Sequence, residues 1–154
     1  MSYGSAAASG PDGALTIHVR PRSPFRLLAR RWPDGVARTR EGVYERFLHI
    51  ERSPVLIRAW KEQSGDISIA AMPAPLAWLG ARETGDPGSR ADRDQLERAL
   101  DCGRRALGVD DDLSEFHARY RRDPLLGPLI RRMPWLRPRR AAHPWEALAW
   151  AITE

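Results

Sequence analysis

From Arg131 to Arg140 the chain reads RRMPWLRPRR, the stretch best suited to act on another molecule. Arg131, Arg132, Arg137, Arg139 and Arg140 bracket Trp135. A guanidinium presents a planar fork of donors that fits phosphate oxygens, and an aromatic ring can stack on a base or wedge into a base step. These six residues form the candidate DNA-binding set. The competing account is a solvated linker whose Trp135 packs into the domain. The charge is local: His117 to Arg140 holds eight arginines and one acid, Asp123, so this stretch carries +7 against +5 for all 154 residues. Such a stripe favours an anionic partner, and nucleic acid is the first choice. Arginine supplies all but one of the 25 basic residues, Lys61 being the exception, a bias that a GC-rich coding sequence also produces.

Other chemistry-bearing groups are sparse. Asp110, Asp111 and Asp112 crowd together, and paired acids can do acid/base work. Here they precede a helix, where unpaired N–H groups and the helix dipole favour acids for structural reasons. His18, His49, His117 and His143 are scattered without metal-ligand spacing, so no metal site is expected. Neither a phosphate-binding glycine loop nor a GxSxG elbow is present, and no cofactor is expected. Cys102 lies in a helical pattern and reads as a small core residue.

The elements that must position these groups fall in two blocks. Leu15, Ile17 and Val19 alternate with polar residues and predict a strand. Further strands are predicted over Val43 to Ile50, Val55 to Glu62 and Ile67 to Met72, with a hairpin turn at Ser64-Gly65-Asp66. Phe25 to Trp32 is of uncertain type, Pro33-Asp34-Gly35 is a turn, and residues 80–90 form a polar loop. The period then turns helical from Asp92 to Leu107, ended by Gly108. Beyond it, Asp112 with Glu115 makes a capping pair, Asp123-Pro124 a second helix start, and Pro134 to Pro138 an irregular linker. His143-Pro144 opens a last helix striped by Trp145, Leu148, Ala149 and Ile152. Only about three turns long, that helix needs something to dock on. The expected fold class is α+β: an antiparallel sheet with a covering helix over 14–108, after a floppy tail at 1–13, then the first helices of an all-α domain over 109–154.

A hydrophobic content of 42% fits a globular chain, and no apolar run approaches the ~20 residues of a membrane span. The small, polar N-terminus does not read as a signal peptide. A single cysteine argues against a secreted disulfide scaffold and for a reducing cytoplasm.

Four pieces of the C-terminal block carry a resemblance: DLSEFHARY, DPLLGPLIRR, LRPRR and HPWEALAWAI. In this order and spacing they resemble the DNA-3-methyladenine glycosylase II family of the helix-hairpin-helix superfamily. The resemblance is clearest over 110–153. It implies that 15–107 forms the family's non-catalytic domain, a curved sheet similar to half of a TATA-binding-protein fold. It implies excision of alkylated purines from double-stranded DNA by flipping the damaged base into an aromatic-lined cleft, where a buried aspartate supports the cationic transition state or activates water. Trp32 is the candidate contributor to that lining. The family's hairpin and catalytic aspartate follow the helix resembling PWEALAWAITE, and no acid of this chain matches them. The expectation is therefore an N-terminal portion, inactive alone, whose last helix docks on C-terminal residues or a partner. The alternative is a non-enzymatic DNA- or protein-binding module.

Overall fold

The computed structural model describes residues 8–9, 13–28, 36–74, 91–138 and 140–153. A six-stranded antiparallel sheet has the order β1-β2-β6-β5-β4-β3. Its strands are β1 (Ala8–Ser9), β2 (Leu15–Val19), β3 (Ala37–Arg40), β4 (Val43–Ile50), β5 (Ser53–Lys61) and β6 (Ile67–Pro73). Helix α1 (Arg93–Leu107) follows, then α2 (Ser114–Tyr120), α3 (Leu126–Arg132) and α4 (Pro144–Thr153). Four strands run as a meander from β3 to β6, and β2 closes on the far side of β6.

Register explains why one face is apolar. Ile17, Ile69, Ala59 and Tyr44 stand in one cross-strand row, and Leu15, Ala71, Ile57 and Arg46 in the next. Ile57, Ala59, Ile69 and Ala71 are fully buried, and α1 lies over β2, β4, β5 and β6. Leu96, Ala99, Leu100 and Gly103 form the buried side of α1, spaced as a helix requires. Gly103 permits close approach: a Cβ there would stand 3.1 Å from Ile57 Cγ2. The opposite face is partly polar. Glu45 bridges Arg38 at 2.7 Å and Arg58 at 3.2 Å, and His18 meets Ser68 at 2.9 Å.

Both ends of α1 follow its sequence. Asp92 accepts from the Gln95 N–H at 2.8 Å while the Gln95 side chain accepts from the Asp92 N–H at 3.0 Å. Gly108 takes the left-handed conformation, φ +63°, and its N–H bonds to the carbonyls of Arg104 and Arg105.

One expectation is corrected and one strand is added. The 1–13 tail is not wholly free, because Ala8 and Ser9 pair with Thr16 and Leu15. A strand at Ala37–Arg40 was not foreseen, since its ARTR sequence buries only Ala37 and shows no apolar alternation. Its hairpin to β4 turns through Glu41 and Gly42, both at positive φ (53° and 80°), as a two-residue turn of this hand requires. The turn at Pro33-Asp34-Gly35 and the loop at 80–90 lie outside the described residues.

Candidate nucleic-acid interface

Two aspartates start the helices that carry the arginines. Asp123 Oδ1 accepts from the N–H groups of Leu125 and Leu126, both at 2.8 Å, and so holds the turn that leads into α3, which begins at Leu126 and not at Pro124. Those backbone bonds hold its carboxyl below the usual carboxylate range. At α2 the expected Asp112–Glu115 capping box is not formed. Asp112 accepts instead from the N–H of Ser114 at 2.9 Å, and Ser23 Oγ accepts from the N–H of Leu113 at 2.8 Å. A serine from the β2–β3 connection has taken over part of the helix start. The Asp112 carboxyl is lowered by Ser114, through its side chain and then its backbone. These acids are structural, as expected of a helix start.

The six candidates occupy different settings. Arg131 and Arg132 are exposed on the last turn of α3. Trp135 is half-buried, with the Arg26 guanidinium 5.6 Å from its ring centroid. Arg140 pairs with Asp111 at 2.9 Å and remains about half exposed. Arg139 lies outside the described residues, as does Trp32.

Arg137 differs most from its expected role. Its Nε donates to the Gly108 carbonyl at 2.9 Å, Nη1 to Pro24 at 2.6 Å and Trp135 at 3.2 Å, and Nη2 to Ser23 at 3.2 Å. The guanidinium also lies 5.0 Å from the Phe25 ring centroid. Burial works against its charge, with Asp111 partly offsetting this. Four of its donor contacts are spent on backbone, so Arg137 ties the linker to the β2–β3 connection and the end of α1. It is a structural clamp in this arrangement, with its donors turned to carbonyl oxygens of the chain itself.

Helix α4 is joined to the sheet by a feature that the sequence reading missed. Arg46 sits in a row of apolar side chains, its own side chain 7% exposed, and pairs with Glu146 of α4, 28% exposed. Burial disfavours the Arg46 charge, but Tyr44 and Glu146 more than offset this and keep the guanidinium charged. Glu146 Oε2 also accepts from the Ala142 N–H at 3.2 Å, which fixes the first turn of α4. The available signal was an arginine at an inward position of a strand otherwise alternating Tyr44, Leu48 and Ile50. The outward stripe of α4 stays open: Trp145 is 71% and Ile152 73% exposed.

Among the described residues there is no group of three or more metal-ligating side chains, and no helix is long and apolar enough to cross a membrane. Burial pushes the Cys102 thiol up, in keeping with a packing role. No family model, curated protein or solved structure matches the chain.

Proposed function

We propose that this chain is the N-terminal portion of a DNA base-excision-repair glycosylase that removes alkylated purines, and that it contributes DNA binding rather than catalysis. One observation carries the reading. The segment bearing the resemblance folds as helices with exposed apolar side chains, while the buried core among the described residues comes mainly from the sheet and α1, with Val109 and Ala142 packed into it. Leu129, Leu148, Trp145 and Ile152 are all about half exposed or more, as expected of helices that belong to a larger helical body. Exposed arginines lie on the same segment. Under this reading the sheet with its covering helix corresponds to the family's TATA-binding-protein-like domain, and Trp32 to a contributor to the base pocket. Hydrogen bonds hold the carboxyls of Glu51, Glu62, Asp112 and Asp123 below the usual carboxylate range, so none of these four is tuned to hold a proton for acid catalysis.

A non-enzymatic binding module is the second reading, favoured by the same open stripe on α4, which suits a protein partner. The chain should bind duplex DNA with an affinity that falls steeply and linearly, on logarithmic axes, between ~50 and ~200 mM salt, as counterions are released. Fluorescence anisotropy measures this directly. Absence of binding at the low-salt end would count against the DNA reading and leave the protein-binding module.

A further inference from the structure

Arg119, Arg121 and Arg122 cluster at the C-terminal end of α2, and Arg131 and Arg132 at the end of α3. All five are exposed. The two clusters meet, because Arg131 Nη1 donates to the Arg121 carbonyl at 3.2 Å. Gly127 makes room for that junction: a Cβ there would lie 2.6 Å from the Arg121 carbonyl oxygen and 3.3 Å from Arg131 Nη1. A side chain at this position would push the two helices apart.

The contrast with the sheet is informative. Arg38, Arg40, Arg46 and Arg58, the strand arginines, each sit against a carboxylate. None of the five junction arginines has an ion pair with a described residue. The one acid of the stretch, Asp123, uses its Oδ1 on the amides of α3. A helix dipole favours cations at each C-terminal end. It does not account for bringing two such ends together, where like charges repel unless an anion lies between them.

We propose that the α2–α3 junction is a phosphate-gripping surface for the backbone of duplex DNA, built from Arg119, Arg121, Arg122, Arg131 and Arg132. This rests on the DNA-binding reading above and relocates its main contact. Among the described linker residues Arg137 is spent on backbone carbonyls and Arg140 is paired with Asp111, whereas the five arginines of the α2–α3 junction carry no ion pair with a described residue. Contacts of this kind orient the protein on the duplex without reading its sequence. The surface would serve undamaged and damaged DNA alike.

The test compares the whole chain with two triple variants on a labelled duplex of about 20 base pairs. One variant is R119Q/R121Q/R122Q. The other, R40Q/R93Q/R98Q, removes the same charge from exposed positions on β3 and α1. Circular dichroism establishes that each remains folded. The first variant is expected to lose affinity on the order of 100-fold at low salt and to flatten the salt slope by about 3. The second should change affinity less than about threefold, since it removes no phosphate contact. Wild-type binding that the first variant leaves intact, or equal weakening by both, overturns the inference while the DNA reading stands. No binding by the wild type overturns both, and binding of an acidic protein or peptide in place of the duplex does the same.

Discussion

Glu146→Ala is expected to destabilise the protein by about 3–5 kcal/mol, and Arg46→Met by clearly less, about 1–2 kcal/mol. The asymmetry follows from where each charge would be left. Arg46 is 7% exposed and Glu146 28%. Without Glu146 the guanidinium stays in an apolar row beside Ile57 and Ala37, and its Nε already has no hydrogen-bond partner among the described residues. Without Arg46 the carboxylate can turn to water and keep the Ala142 N–H. Methionine is flexible enough to fill the vacated channel between apolar neighbours. Denaturant midpoints of the two variants settle the order. The same loss should free α4, read as faster amide exchange from Glu146 onward. A Glu146→Ala variant more stable than Arg46→Met would show that the pair is not buried as described.

Gly103→Leu is expected to cost about 3 kcal/mol, with Gly103→Ala within about 1 kcal/mol of wild type. Alanine gains helix propensity of about 1 kcal/mol over glycine, but its Cβ meets Ile57 Cγ2 at 3.1 Å. Ile57 cannot swing away cheaply, because its branched Cβ restricts χ1 and the side chain is fully buried. Leucine adds three more carbons to a space that is already filled, so α1 must lift from the sheet. Thermal unfolding monitored by circular dichroism checks this, and a Gly103→Leu protein as stable as the wild type would contradict the close packing.

Much of the sheet layer was legible because period and burial agree. β4 alternates residue by residue, β5 and β6 read as short apolar runs on either side of a hairpin turn, and α1 carries a capping box, a buried stripe and a terminal glycine. β3 was not legible, since an edge strand of mostly polar residues needs no apolar pattern and its Glu41-Gly42 turn is a weak signal. At the candidate site the arginine excess was visible, but the directions of the side chains were not. Arg137 and Arg140 look alike in sequence, yet one clamps backbone carbonyls and the other meets Asp111. Those partners lie up to 114 residues away in the chain, beyond the reach of local spacing. Arg46 shows the same limit from the other side: an inward arginine reads as a misplaced charge until Glu146, 100 residues on, arrives to meet it.

Base release from alkylated DNA tests the central claim most directly. Duplex treated with a methylating agent is incubated with the polypeptide encoded by the complete reading frame containing this chain, and free purines are separated and quantified. The account predicts release of alkylated purines by that polypeptide and none by the 154-residue chain alone. A folded, DNA-bound polypeptide that releases no alkylated base would contradict the glycosylase reading and leave a binding module.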